Sequence, residues 1–388
     1  MSITGGLHLN LNTASMLLRW ALCAAVLTGT AASHAATTYK LTDLGTLGEP
    51  SWALSFGSSI NNAGQVTGGA TNPYASYCRC IPYQAFLYSD GVMTTLSGMP
   101  KGAHSYGNDI NDAGQITGWG WAHDTFGRHA FVYSDGVMTD LSEGEGSGIN
   151  HSGQITGYYF PTGNSPFNRH AFLSSGRVQT DLGTLGGSES VGSAINNAGQ
   201  ITGSSSGRAF IYSDGVMTNL GVLGETRGSS WSHGNDINDS GQIVGASTIG
   251  SSAHAFLYSA GAMIDLGSLS GQSEGLGINN SGQVTGWYYT DGTGDQKAFL
   301  YSDGVMTDLE TLLDQTTGLG WQLSSATDIN DAGQIVANGY KEGVGSRALL
   351  LSPIPEPSTY ALMVAGLCAL GVTERRRYAS RVPAPFKF

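Results

Sequence analysis

The segment Ile60-Asn61-Asn62-Ala63-Gly64-Gln65-Val66 occurs in seven copies along the chain. Its leading isoleucine returns at Ile110, Ile149, Ile195, Ile237, Ile278 and Ile329, at spacings of 50, 39, 46, 42, 41 and 51 residues. A unit of this length cannot bury an apolar face alone, so neighbouring units must stack, and a period in the forties points to propeller blades. Two further elements keep step with it. Ala85-Phe86-Leu87-Tyr88-Ser89-Asp90-Gly91-Val92-Met93 returns at Ala130, Ala171, Ala209, Ala255 and Ala298, and in degraded form at Ala348-Leu349-Leu350-Leu351. An Asp-Leu-Gly-Thr-Leu element begins at Asp43 and returns at Thr95, Asp140, Asp181, Asn219, Asp265 and Asp308.

The residues between these elements are turn formers with definite chemistry. In Asn-x-(Ala/Ser)-Gly the Asn side chain caps the backbone and the Gly supplies a positive φ. Asp-Gly after Tyr-Ser signals a two-residue hairpin. Each unit therefore reads as an antiparallel meander of four short strands, ending in Ile-Asn, then running through Gln-Ile-Thr-Gly, Ala-Phe-Leu-Tyr and Met-Thr-Asp-Leu. On the third strand Ala and Leu alternate with Phe and Tyr, so both faces are apolar, as sheets stacked face to face require. The body opens on a lone fourth-strand element at Asp43 and ends on a third-strand element at Ala348, so the first strand can complete the last unit. The expected fold is a seven-bladed β-propeller of four-stranded antiparallel blades with the N-terminal strand closing the last blade. An open β-solenoid is the alternative, and would want terminal caps instead. Three residues before each Ile stand Gly57, Gly107, Gly146, Gly192, Gly234, Gly275 and Ala326, small residues that suit an inner strand crowded near an axis.

Composition agrees with a turn-rich β fold. Gly 58 and Pro 11 in 388 residues leave little room for helix, and the hydrophobic share of 40% allows a large core. The glycines follow no collagen period, and the chain is too apolar for a disordered tail. A net charge of -12 with no basic run in the body excludes nucleic acid as a partner, because phosphates demand clustered Lys and Arg.

Both ends read as addresses. Arg19, an apolar run over residues 21–27 and Ser33-His34-Ala35 make a secretory signal cleaved after Ala35, with Met16 as a second possible start and a retained membrane anchor as the alternative. Trp20, standing where a lipobox has an aliphatic residue, argues against Cys23 as a lipoprotein cysteine. At the other end come Pro355-Glu356-Pro357, an apolar run over residues 360–372, and Arg375-Arg376-Arg377. That run is short against the roughly 20 residues that span a bilayer, while the arginines fit a cytoplasmic stop. These three parts in this order resemble the PEP-CTERM sorting signal. The resemblance implies processing by an exosortase at Pro355, Glu356 and Pro357 after transient membrane anchoring, during export in a Gram-negative bacterium that makes extracellular polysaccharide. The chain thus divides into a signal peptide (1–35), handled by signal peptidase, a repeat body (36–352) and a sorting segment (353–388). Removing both ends strips six basic residues and leaves the exported body more acidic, which favours solubility.

Cys23 and Cys368 fall in those ends, leaving Cys78 and Cys80. An oxidising compartment permits them to pair, although a Cys-x-Cys ring is small and strained, so a disulfide and two free thiols both stay open. No His sits beside them to make a metal site.

The composite phrase His-Ala-Phe-Leu-Tyr-Ser-Asp-Gly-Val-Met-Thr-Asp-Leu-Gly-Thr-Leu-Gly is similar to the HAF family of extracellular repeats, over residues 41–352. His129, His170 and His254 carry its His, and Gln84, Arg208, Lys297 and Arg347 replace it elsewhere. The resemblance implies export and repetition and no particular activity.

The loops joining strands two to three, and each unit to the next, vary in length, and variable loops on a rigid scaffold are where recognition sits. Aromatics gather at that end: Trp52, His104, Tyr106, Trp119, Trp121, Tyr158, Tyr159, Trp231, Trp287, Tyr288, Tyr289 and Trp321. Flat rings beside amides and hydroxyls suit sugars, while the plainer reading packs Trp119 and Trp287 between blades. His129, His170, Arg208, His254 and Lys297, with Gln84 and Arg347, occupy one position at the same end, where they would form a cationic ring for an acidic polysaccharide. Glu49, Glu143, Glu189, Glu225 and Glu274 in the loops between blades would neutralise it. The Asn and Gln columns read as hydrogen bonds joining blades. Asp291-Gly292-Thr293-Gly294-Asp295 is a weak Ca²⁺ candidate that lacks the acidic spacing of a dedicated loop, and no other cofactor is expected. The chain has no nucleophile elbow, zinc motif or phosphate loop. The expectation is an exported surface or matrix protein, non-enzymatic, binding glycan or protein through the variable end. The alternative is a polysaccharide-processing hydrolase or lyase using carboxylates such as Glu143, Glu145 or Glu189, and a purely structural role is a third reading.

Overall fold

The computed structural model describes residues 37–48, 53–71, 83–96, 98, 104–121, 127–161, 168–176, 178–224 and 230–355. Ala35, Trp52, Cys78, Cys80, Glu356, Pro357, Arg375, Arg376 and Arg377 lie outside these residues, while Pro355 is the last of them and is exposed.

Local chemistry sets the turns. Asn61 Oδ1 accepts from the amides of Ala63 at 3.1 Å and Gln65 at 2.9 Å, and Gly64 takes a φ of +78°, which a Cβ would strain. At the hairpins Asp90 (φ 52°) and Gly91 (φ 82°) are both left-handed, as a type I′ turn demands. Between these turns Ser55–Ile60, Val66–Thr71, Tyr83–Ser89 and Val92–Thr95 pair consecutively and antiparallel in one sheet. The same four-strand order recurs over residues 190–221, 232–267 and 273–308. Residues 105–181 form a seven-stranded sheet, because the 13-residue strand Val137–Ile149 pairs with Arg128–Ser134 along its first part and with Ile155–Tyr159 along its last. In the remaining sheet Tyr39–Asp43 joins three C-terminal strands by pairing antiparallel with Gly345–Pro353, Leu41 opposite Leu351. The described chain is all-β, with one 3-10 turn at Leu309–Leu312 and no α-helix among the described residues.

The core lies between adjacent sheets. Phe86, Phe131, Phe172, Phe210, Phe256 and Phe299 are fully buried on one side of the third strands, and Ala85, Ala130, Ala171, Ala209, Ala255, Ala298 and Ala348 on the other. Ala85 packs with Ile110, Ile116 and Phe131 of the following repeat, and Ala209 with Ile237, Ile243 and Phe256. Ala348 packs in the same way with Ile60, Val66 and Phe86, which brings the last repeat against the first. Each buried Phe contributes about 2–3 kcal/mol through apolar transfer.

The small residue three before each Ile has a different cause from crowding at an axis. A Cβ on Gly107, Gly146, Gly192 or Gly234 would stand 2.1 Å from the hydroxyl of Thr67, Thr117, Thr156 or Thr202, each on the second strand of the preceding repeat. Those hydroxyls donate to the carbonyls of Phe86, Phe131, Phe172 and Phe210 at 2.8 to 2.9 Å, so the glycines make room for a fixed side chain.

The Asn column links the repeats. Each Asn Nδ2 donates to the backbone carbonyl of the next Asn, from Asn61 through Asn111, Asn150, Asn196, Asn238, Asn279 and Asn330, which donates back to Asn61. The Gln side chains bond inside their own repeat instead: Gln65 Oε1 accepts from Asn61 at 2.8 Å and its Nε2 donates to Ser89 at 3.3 Å.

Candidate functional site

The two ends of the sheets differ in what they leave unsatisfied. At the end of the short turns a cavity of ≈ 170 Å³ is lined by the Ile-Asn-x residues of all the repeats. Its outer polar groups satisfy one another: the Asn62 amide donates to Asp112 at 2.8 Å, Asn197 to Asp239 at 3.0 Å, Asn280 to Asp331 at 2.9 Å, and Asp331 back to Asn62 at 2.9 Å.

Deeper, the first strands bulge at Ser58, Asn108, Ser147, Ser193, Asn235, Leu276 and Thr327, and these residues line a central cavity of ≈ 100 Å³. Asp109, Asp236 and Asp328 also line it. Each accepts from the Ile amide of its own repeat and of the next: Asp109 from Ile110 and Ile149, Asp236 from Ile237 and Ile278, Asp328 from Ile329 and Ile60, at 2.7 to 2.8 Å. Burial, then the Asp328 charge, push Asp236 up to about 8, and burial pushes Asp328 up to about 6 and Asp109 above the usual carboxylate range. Their bonds mark them as clamps between first strands. The sequence signal was Asp immediately before Ile in three of the copies, which the repeat pattern hid.

The variable end holds the aromatics, and the structure separates them. Trp119 stacks beside Tyr106 (6.4 Å, 9°) with the Arg128 guanidinium 4.2 Å over its ring, and Arg128 pairs with Glu145 at 2.8 Å. Tyr158 donates to Glu145 at 3.3 Å and lies 5.5 Å from the Arg169 guanidinium, and Tyr159 meets Phe172 edge-on. Trp287 packs against Tyr289 at 4.9 Å. Tyr288 is a correction to the expected binding group: it is 5% exposed and donates to Asp308 at 3.0 Å, with burial and then Asp308 pushing its hydroxyl up to about 12. Trp121, Trp231 and Tyr289 stand exposed, at 48%, 37% and 37%. Each lies at the close of a second strand or the start of a first strand, hence at the same end of the sheets.

The cationic column meets the fourth-strand Asp of its own sheets, while Glu49 and Glu225 lie outside the described residues. His129 lies 2.9 Å from Asp140, His170 2.9 Å from Asp181 and His254 3.0 Å from Asp265; Lys297 meets Asp308 at 3.3 Å and Glu310 at 3.2 Å. Each Asp lies 11 residues beyond its partner, and Gln84 meets Thr95 at the same spacing, a signal legible in the sequence. Arg208 donates to the carbonyls of Gly207 and Ser230. Such exposed pairs are worth little to stability. The loop over residues 290–295 closes on itself through Thr290 and Thr293, 2.7 Å apart. Among the described residues no three His, Cys, Asp or Glu side chains converge as a metal site requires.

Beside Trp231 opens a cleft of ≈ 390 Å³ lined by Ser230, Trp231, Thr248, Gly250, Ser251, Ser252, Ala253 and Gln272, of which the sequence marks Trp231 alone, as one of the variable-end aromatics. Trp231 stacks flat on His233 (5.2 Å, 4°), and His233 Nε2 is 2.8 Å from Glu274, which also accepts from Asn235 at 2.8 Å. Burial opposes ionisation of Glu274, but the His233 and Asn235 bonds outweigh it and hold its carboxyl below the usual range.

No protein-family model matches the chain, and no curated protein does. Among solved structures the chain is similar to the β-propeller domain of the trilobed protease from Pyrococcus furiosus (TM-score 0.48, 10% identity, 78% of this chain and 98% of that one). It is also similar to an extracellular domain from B. thetaiotaomicron (0.47, 12%, 82% of this chain and 40% of that one). A gluconolactonase from Xanthomonas campestris is a third (0.38, 13%, 84% and 94%).

Proposed function

We propose that the chain is a seven-bladed β-propeller of the HAF-repeat type, exported, carrying a PEP-CTERM sorting segment, and acting at the cell surface or in the extracellular matrix by binding glycan without cleaving it. The blade count draws support from the cycle of seven Asn side chains that returns from Asn330 to Asn61. Closure by the N-terminal strand draws support from the pairing of Tyr39–Asp43 with Gly345–Pro353 and from the packing of Ala348 against Ile60. The function rests on one observation: exposed Trp121, Trp231 and Tyr289 share the variable end, whereas the polar groups at the opposite end bond to one another. An exposed indole on a rigid strand end offers a flat apolar face that sugar C–H groups cover at little entropic cost.

The test is binding of the full chain to a set of bacterial exopolysaccharides, with product analysis of every polysaccharide bound. Retention of unshortened polymer is the expected result. Shortened products would turn the reading to a hydrolase or lyase, and no retention would remove the glycan reading.

A further inference from the structure

The cleft beside Trp231 is built to hold a flat ligand in one orientation. The Trp231 backbone is clamped on both sides, its amide donating to Thr248 Oγ1 at 3.1 Å and its carbonyl accepting from the Thr248 amide at 3.0 Å. Its indole cannot swing freely, because His233 lies parallel beneath it and is itself held by Glu274. Pre-ordering of that kind lowers the entropy lost on binding.

Among the described residues, the side chains that line the cleft with this indole are uncharged. Ser251 and Ser252 bring hydroxyls, and Gln272 brings a side-chain amide from the loop before the next first strand. None of these three side chains has a hydrogen-bond partner among the described residues, so their donors and acceptors are available in the cleft. The Arg208 guanidinium does not line the cleft and directs its Nη1 to backbone carbonyls, while neighbouring His254 turns to Asp265. At ≈ 390 Å³ the cleft falls within the size range of small-molecule sites, roughly 300–1,000 Å³.

We infer that this cleft is the subsite for a neutral hexose unit of a glycan, its C–H face stacked on Trp231 and its hydroxyls bonded by Ser251, Ser252 and Gln272. The inference rests on the glycan-binding reading above and assigns both its place and its ligand class. An acidic sugar would bring a carboxylate against described lining residues of which none is cationic, and would lose hydration without recompense.

The experiment titrates the full chain with neutral hexaoses of glucose, galactose and mannose and with a hexauronate, by calorimetry and by tryptophan fluorescence. The expected result is binding of a neutral hexaose, unmoved when NaCl is raised about tenfold. Trp231→Ala should weaken it by roughly tenfold and Gln272→Ala by about threefold. Gln272 is exposed, so its variant carries little risk to folding. Binding of the hexauronate alone, lost in salt, would overturn the ligand class. Neutral binding indifferent to both variants would overturn the cleft while leaving the glycan reading in place. No binding of any oligosaccharide to a folded chain would overturn both.

Discussion

Asn330 donates its side-chain amide to the backbone carbonyl of Asn61 at 3.0 Å, across 269 residues of chain. The same side chain donates to Gln334 Oε1 at 2.9 Å and accepts from the amides of Ala332 at 3.1 Å and Gln334 at 2.9 Å, so its bonding capacity is filled. Asn330→Ala strands several buried partners and should cost about 2–4 kcal/mol in urea unfolding. In a closed ring Asn196→Ala, in the middle of the chain, should cost about the same. A much smaller loss at Asn330 would argue that the ends do not hold each other.

Thr285 departs from the threonine column. Its hydroxyl is buried and has no partner among the described residues, whereas Thr67, Thr117, Thr156 and Thr202 each donate to a Phe carbonyl. The residue in the glycine column of the following repeat is Ala326, where the repeats after Thr67, Thr117, Thr156 and Thr202 have glycine. The Thr285 hydroxyl turns instead to within 3.1 Å of where a Gly277 Cβ would stand. Thr285→Val, which matches Val244 and Val336 in the same column, should raise stability by about 1 kcal/mol in a thermal melt.

Gly107→Ala is the reverse experiment. Its new methyl would lie 2.1 Å from Thr67 Oγ1, which is bonded to the Phe86 carbonyl at 2.8 Å. A loss of about 1–3 kcal/mol in denaturant unfolding is expected, and Gly107→Ala combined with Thr67→Ser should recover little of it, because the hydroxyl remains.

The buried aspartates tie stability to pH. Asp236, raised to about 8, keeps in the folded state a proton that the unfolded chain releases near its ordinary value of 3.8. The folded state therefore binds more protons across that window, and the contribution of Asp236 to stability is greatest below about pH 4, falls as pH climbs to about 8, and levels off above it. Melting temperature measured between these limits should decline with pH. In Asp236→Ala, which places there the residue found at Ala194, that decline should be shallower, although the variant loses the acceptor for Ile237 and Ile278. An unchanged slope would assign the dependence to other groups.

Ala260 stands in the left-handed region at φ 51°, where four other hairpins carry Asp90, Asp135, Asp214 and Asp303. A Cβ without a polar atom gains nothing locally to offset that conformation, so Ala260→Gly should add about 0.5–1 kcal/mol to stability, read from the shift in urea midpoint.

Much of the fold was legible because its causes are local and repeated. Asn61 with Gly64, and Asp90 with Gly91, specify their turns within four residues of chain, and the Ala85-Phe86 alternation marks a strand buried on both faces. The pairing of His170 with Asp181 at a constant offset was legible for the same reason. The cleft was not, because Trp231, Ser251 and Gln272 sit in loops that follow no period, and nothing in one loop reports what the next will place beside it.

By itself the amino-acid order determined the unit: its four strands, its turns, its apolar faces and the number of times it is made. Tertiary structure decided which residues of that repeating frame are free to meet a ligand. Trp119 lies beneath Arg128, the Tyr288 hydroxyl is taken by Asp308, and Trp231 is held open on His233, three outcomes for aromatics that look alike in sequence. The physical reason is that exposure and charge at a strand end depend on the side chains that stacking and strand pairing bring alongside, and those are set by close packing across the fold rather than by the neighbours in the chain.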